Sequence, residues 1–237
     1  MRALLGSGGF RTEERRAFYT EEMKRHFGDL SRILFIPYAL HDHDGYTRMM
    51  TERGLAAGYE IDGIHRHDDP VRAVDEAEAI YVGGGNTFRL IADLHRLGLV
   101  ERIRDRVIRD GVPYMGVSAG TNVACPTMQT TNDMPITQPA SFEAMGLVPF
   151  QVNAHYYAGS IWIRHDGEFE EHFGETRDDR IREFHEMNDT PVVGLWEAGF
   201  IRVRDDHFEV VGTPARIFRR GSDPYDVEPG STLVELA

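Results

Sequence analysis

The chain has 237 residues, 41% hydrophobic and 10% aromatic, which is enough apolar material for a sizeable core and excludes wholesale disorder. Its 39 acidic side chains against 26 basic ones leave a formal net charge of -13. Such a surface repels phosphate backbones and anionic lipid, so no nucleic acid and no membrane is an expected partner, and an acidic ligand would need a locally basic pocket.

Arg2–Gly6 reads as a short strand, Glu13–Phe27 as a charged amphipathic helix, Arg32–Ala39 as a buried strand and Tyr46–Tyr59 as a helix. Glu60–Arg66 and Ala79–Val82 follow as strands. Leu90, Ile91, Leu94 and Leu97 recur at helical spacing, as do Val100, Ile103 and Val107, and Val112–Val117 is a fifth strand. Strands separated by helices predict right-handed βαβ units and an α/β fold: a doubly wound, mostly parallel sheet flanked by helices. In the second half Leu147–Ala154 and Pro191–Trp196 look like further strands, with a helix near Arg177–Met187 between them. Phe200–Arg204 and Phe208–Gly212 bracket Asp205-Asp206 as a C-terminal β-hairpin. No repeat, linker or composition shift marks a boundary, so residues 1–237 are expected to form a single α/β domain.

The one cysteine, Cys125, excludes an internal disulfide and a cysteine-built zinc site, and reads as a small core residue. The apolar run at Met1–Gly9 is far too short for a signal peptide, and no stretch is long enough to span a membrane, so a cytoplasmic protein is expected. His41-Asp42-His43-Asp44 and His65-Arg66-His67-Asp68-Asp69 resemble metal clusters at first glance, but without a third ligand and its supporting bonds they read as solvated loop charge. No metal and no cofactor is called for.

In an open parallel sheet, ligands bind beyond the carboxyl ends of the strands. Four predicted strand ends carry chemistry: Gly83-Gly84-Gly85-Asn86-Thr87, Ser118, His155 and Glu197. A serine, a histidine, a carboxylate and a glycine loop on one edge are the parts required for acyl transfer. Ser118 lies in Gly116-Val117-Ser118-Ala119-Gly120, the G-x-S-x-G pattern of a nucleophile elbow. There the glycines allow a tight strand-to-helix turn, and the next N–H, that of Ala119, lies where an oxyanion would develop. The triple glycine could cradle a phosphate or lend one N–H to an oxyanion hole; Phe88 in place of a last glycine and the missing Walker lysine favour the second. His155 taken alone is more often a satisfied structural histidine than a base. Glu197 closes an apolar strand and needs a partner, because unpaired burial of a carboxylate costs on the order of several kcal/mol. Strand-end placement favours Glu197 as the residue orienting His155, with Asp133 in Thr131-Asn132-Asp133-Met134-Pro135 as its rival. Thr176 looks like an N-cap with Asp179 as its capping-box partner. Arg177, in the first turn beyond, is either part of an anion site or a solvated cation neutralised by Asp178 and Asp179.

At these residues the chain resembles dipeptidase E, the α-aspartyl dipeptidase family of serine peptidases, whose fold is like the class I glutamine amidotransferases and flavodoxin-like. The resemblance is carried by Gly63-Ile64-His65-Arg66 with Asp69-Pro70, by Val82–Phe88, Gly116–Gly120 and Ala124–Thr127, by Thr130–Ile136, by His155 after Val152-Asn153-Ala154, and by Gly174–Arg177 with Arg180–Glu183. It implies Ser118 as nucleophile, His155 as general base, Glu197 or Asp133 as the acid behind it, Gly85 and Ala119 as oxyanion donors, and Arg177 as reader of an aspartyl carboxylate. The implied partner is a small acidic dipeptide with N-terminal aspartate, and a homodimer is one possible assembly. Two departures stand out: an extended stretch between His155 and Gly174 carrying Trp162, Arg164 and His165, and Trp196 and Ala198 where the family would place Pro and Gly. The alternatives are a cyanophycinase-like peptidase or an esterase on the same fold, or a non-catalytic small-molecule binding module. A glutamine amidotransferase would need cysteine at Ser118.

Overall fold

The computed structural model describes residues 1–236. Strand and helix alternate through the first half: β1 (Arg2–Gly6), α1 (Glu13–Phe27), β2 (Arg32–Ile36), α2 (His43–Glu52), β3 (Glu60–Gly63), α3 (Pro70–Glu76), β4 (Ile80–Val82), α4 (Thr87–Arg96), α5 (Leu99–Ile108), β5 (Tyr114–Val117) and a single turn, α6 (Ala119–Asn122). The second half is strand-rich: β6 (Gln151–Tyr156), β7 (Ile161–His165), β8 (Glu168–His172), α7 (Arg177–Met187), β9 (Val192–Trp196), β10 (Phe200–Arg204), β11 (His207–Val211), β12 (Ala215–Phe218) and β13 (Tyr225–Val227).

Five parallel strands and the antiparallel β10–β11 hairpin form a seven-stranded sheet in the order β11-β10-β1-β5-β4-β2-β3. This is the doubly wound α/β arrangement with a C-terminal hairpin that the strand–helix alternation predicts. β5 lies between β1 and β4, so the loops leaving those two strands flank whatever follows β5. Helical residues such as Leu90, Ile91, Leu94, Ile103 and Val107 are buried on one face of the sheet, and Tyr19, Met23 and Phe27 of α1 on the other.

β6 and β9 do not continue this sheet. They pair in parallel with each other and belong to a separate four-stranded sheet, β13-β12-β9-β6. The expectation of one edge carrying every site residue is therefore corrected: two sheets contribute. Among the described residues β7 and β8 pair only with each other, about an Asp166-Gly167 turn in which both residues have positive φ.

Boundaries moved for identifiable reasons. β2 stops at Ile36 because Pro37 cannot donate to the ladder, and Pro149 delays β6 to Gln151. α2 starts earlier than Tyr46 because the Asp42 side chain accepts from the Gly45 N–H, and it ends before Gly54 and Gly58, both at positive φ. Among the described residues no helix is long and apolar enough to cross a membrane.

Candidate active site

Ser118 sits between β5 and α6 at φ 55°, ψ −111°, a left-handed backbone conformation that costs a side-chain-bearing residue on the order of 1–3 kcal/mol. The turn is possible because its flanks are bare. A Cβ on Gly116 would lie 2.4 Å from the Gly120 carbonyl oxygen, and one on Gly120 would lie 2.1 Å from that of Val82. The Tyr114 hydroxyl donates to the Gly120 carbonyl at 2.6 Å, and Thr121 Oγ1 bridges the Gly6 and Gly116 carbonyls, so the elbow is held from beneath.

His155 is reached through a defect in β6. The β6–β9 register shifts between Ala154 and Tyr156, and His155 takes φ 55°. A bulge of this kind re-aims one side chain out of the strand's alternation. The ring then spans the gap between the two sheets: Nε2 lies 2.8 Å from Ser118 Oγ, and Nδ1 lies 2.9 Å from Glu197 Oε1. With the proton on Nδ1, the ring donates to Glu197 and accepts from the Ser118 hydroxyl. Glu197 follows the last residue of β9. The hydrogen bond from His155 holds its carboxyl below the usual carboxylate range against the opposing effect of burial, with smaller help from the charges of His155, Arg15 and Arg11.

The glycine loop after β4 passes directly over the serine: a Cβ on Gly84 would lie 3.1 Å from Ser118 Cβ. Among the described residues the N–H groups of Gly85 and Ala119 donate to no backbone carbonyl and to no side chain. An oxyanion hole requires free amides of this kind near the nucleophile.

Asp133 lies elsewhere. Its Oδ2 accepts from the Thr87 N–H at 2.7 Å, Thr87 Oγ1 at 2.6 Å and Thr131 Oγ1 at 3.0 Å, and it makes no bond to His155. It anchors the N-terminus of α4, and with it the glycine loop, which is also tied through Asn86 Nδ2 to the Met134 carbonyl. Arg177 is half-buried in the first turn of α7. Its Nη1 donates to Asn132 Oδ1 at 2.5 Å, and its guanidinium carbon stands 5.1 Å from the Tyr157 ring centroid. Burial pushes its pKa down, and among the described residues its Nε has no partner. The nearby acids are engaged otherwise. Asp178 accepts from the Tyr156 hydroxyl and from Arg216, while Asp179 closes the capping box with Thr176 and pairs with Arg182. Arg180 pairs with Glu175. Asn132 also accepts from Asn153 and donates to the Ala154 carbonyl, so Arg177 is tethered to β6 next to His155.

The histidine–aspartate loops resolve into caps and local pairs. Asp42 caps α2, Asp69 caps α3, His65 and Arg66 share Asp44, and His67 meets Asp62. Among the described residues no group of three or more His, Cys, Asp or Glu could hold a metal. Cys125 is buried, donates to the Thr121 carbonyl, and has its thiol pushed up to about 12 by burial.

Sequence reasoning passed over Ser7, Gly8 and Gly9, which close β1 beneath His155 and Glu197. Their signal was available, since Gly6-Ser7-Gly8-Gly9 is a glycine-rich strand end on the same sheet edge as Ser118. It also passed over Asn132 and Tyr157, whose contacts with Arg177 no spacing could suggest.

Comparison with known proteins is consistent with this geometry. The model of "Peptidase family S51" matches residues 3–211. Peptidase E of Streptomyces coelicolor is 48% identical over 207 residues, covering 87% of this chain and 82% of that protein. A Drosophila melanogaster protein named "Probable alpha-aspartyl dipeptidase" is 41% identical over 209 residues, covering 88% and 84%. The crystal structure of a peptidase from an acI-B1 Actinobacterium shares the fold with a TM-score of 0.67 at 18% identity, over 98% of this chain and 96% of that one. With a family model spanning most of its length and relatives this similar, the chain belongs to peptidase family S51 and is a serine-type hydrolase of peptide bonds.

Proposed function

We propose that the protein hydrolyses α-linked dipeptides with N-terminal aspartate through an aspartyl-enzyme intermediate, with Ser118 as nucleophile, His155 as base, and Glu197 as the carboxylate orienting it. The observation that carries this reading is the continuous hydrogen-bond chain from Ser118 Oγ through His155 to Glu197, at 2.8 and 2.9 Å. His155 Nε2 takes the Ser118 proton as the oxygen attacks the aspartyl carbonyl carbon. The N–H groups of Gly85 and Ala119 hold the resulting oxyanion. The protonated ring then gives its proton to the leaving amine, and a water activated by the same nitrogen releases aspartate. Glu197 stays ionised throughout and stabilises the imidazolium.

Arg177 is the proposed reader of the aspartyl side chain. Its unpartnered Nε and its tether beside β6 support that role in a chain whose net charge of -13 otherwise repels an acidic substrate. A guanidinium can hold a carboxylate by two parallel bonds, each worth roughly 1.5–3 kcal/mol. An asparagine side chain loses that match, and sites of this type reject near-isosteres strongly.

The test is kcat/KM on Asp-Leu and Asn-Leu for wild type, Ser118→Ala and Arg177→Ala. Ser118→Ala should lose about six orders of magnitude in kcat while remaining folded; retention of a tenth of the activity would remove Ser118 from the mechanism. Wild type should favour Asp-Leu by on the order of 10²-fold or more, and Arg177→Ala should erase most of that ratio. An unchanged ratio would mean that the carboxylate is read elsewhere.

A further inference from the structure

Four consecutive residues at the end of β1 touch all three members of the Ser118–His155–Glu197 chain. The Gly6 carbonyl accepts from the Ser118 N–H at 2.9 Å and from Thr121 Oγ1 at 2.7 Å. Ser7 Oγ accepts from the His155 N–H at 2.8 Å and donates to the Leu195 carbonyl at 2.8 Å. The Gly8 carbonyl accepts from the Ala198 N–H at 2.7 Å, next to Glu197. A Cβ on Gly8 would lie 2.8 Å from His155 Cε1, and one on Gly9 would lie 2.2 Å from Glu197 Oε2. The loop is pressed against the ring and the carboxylate as closely as bare backbone allows.

Ser7 is the polar centre of this template. It is fully buried, and its own N–H is fixed to the Gly199 carbonyl at 3.0 Å. His155 has no register partner in β9, while Ala154 faces Leu195 and Tyr156 faces Trp196. The Ser7 hydroxyl therefore stands between β6 and β9 at the defect, linking the N–H of His155 on one strand to the carbonyl of Leu195 on the other. A hydroxyl can do this because it accepts and donates at once. Without it, two buried backbone groups lose their partner, and the strands have reason to close and draw the ring away from Ser118.

We infer that Ser7 is a positioning residue for the reaction: by bridging β6 and β9 from the neighbouring sheet it holds His155 in its bulged conformation between Ser118 and Glu197. The inference rests on the proposed serine mechanism and adds a residue that never touches substrate. A shift of about 1 Å in such a group can cost about 10²-fold in rate, and the loss falls on the chemical step.

The experiment compares kcat and KM on Asp-Leu for wild type, Ser7→Ala and Val203→Ala, the last a buried cavity in β10 serving as a stability control. Fluorophosphonate labelling of Ser118 and Tm are measured in parallel. Ser7→Ala should lose about 10- to 100-fold in kcat with KM within about twofold of wild type, and should be labelled correspondingly slowly, whereas Val203→Ala should lower Tm and keep kcat. Ser7→Ala with wild-type kcat overturns the inference, as does a kcat loss in Val203→Ala that matches its loss of Tm. Should the alanine variant not fold, Ser7→Cys, whose longer bond and much weaker donor and acceptor cannot hold both backbone groups at the same distances, carries the same test: a kcat loss of about 10-fold at constant KM supports the role, and full kcat overturns it. A wild type that neither cleaves Asp-Leu nor is labelled at Ser118 overturns the serine mechanism itself, and Ser7's role with it.

Discussion

Glu197 and Asp133 are the two carboxylates the sequence offers as partners for His155, and their hydrogen bonds separate them. Glu197 accepts from a ring nitrogen and keeps its second oxygen, Oε2, buried against Gly9 with no partner among the described residues. Asp133 accepts three donors at the start of α4, where a negative charge is favourable to the helix by about 0.3–1 kcal/mol. Substitution should therefore act differently at the two positions. Glu197→Gln should lower kcat by about 10³–10⁴-fold with little change in KM, because an amide neither fixes the ring's tautomer nor stabilises the imidazolium. Asp133→Asn should act mainly on Tm and on the seating of the glycine loop, with a much smaller effect on kcat. Steady-state kinetics and melting curves on the two variants check this, and a larger kcat loss at Asp133 would reverse their proposed roles.

At the scale of elements, α7 carries its own start signal. Thr176 Oγ1 accepts from the Asp179 N–H while the Asp179 carboxylate accepts from the Thr176 N–H, the reciprocal capping box legible in Thr176-Arg177-Asp178-Asp179. The bonds from Thr176, with help from Arg182, pull the Asp179 pKa from 3.8 down to about 2. A carboxylate whose pKa is lower folded than unfolded contributes stability above the unfolded value and loses it as pH falls through the folded one. The stability gap between wild type and Asp179→Asn, measured by denaturant titration, should be constant down to about pH 4 and narrow below it. A gap that widens on acidification would contradict the capping role. The β7–β8 hairpin is the opposite case. Its Asp166-Gly167 turn is a clear local signal, but Trp162 and Phe169 are exposed and its strands find no third partner among the described residues. A two-stranded ribbon of that kind is marginal by itself.

Across the whole molecule, the large apolar cluster joins residues of the seven-stranded sheet, such as Leu5, Ile80 and Val210, to residues of the four-stranded one, such as Val152, Val193 and Ile217. Ser7 and the elbow stitch the same boundary with hydrogen bonds. We propose on this basis that the chain folds as one domain. Calorimetry should show one unfolding transition with calorimetric and van't Hoff enthalpies equal; two resolved transitions would divide the chain at the sheet boundary. The acidic balance of the molecule belongs to this scale too: a net charge of -13 repels an acidic ligand in bulk, so the proposed substrate has to be held by a local cation such as Arg177.

Local signals alone determined a large part of this protein. β1, α1, α7 and β10 begin and end where residue periodicity and caps put them, and the doubly wound parallel sheet follows from strand–helix alternation. The tight turn at Ser118 is equally local, because two glycines four residues apart leave no Cβ in its way. What only the tertiary structure decided is every relation across the two sheets. That β6 and β9 leave the main sheet, that a bulge turns His155 toward Ser118, and that Gly6–Gly9 underlies both His155 and Glu197 all depend on contacts between residues 30 to 190 positions apart. Periodicity reports the face a residue presents within its own strand. It carries no information on which strand becomes its neighbour, since that choice is made by the summed burial of both sheets and not by any one segment.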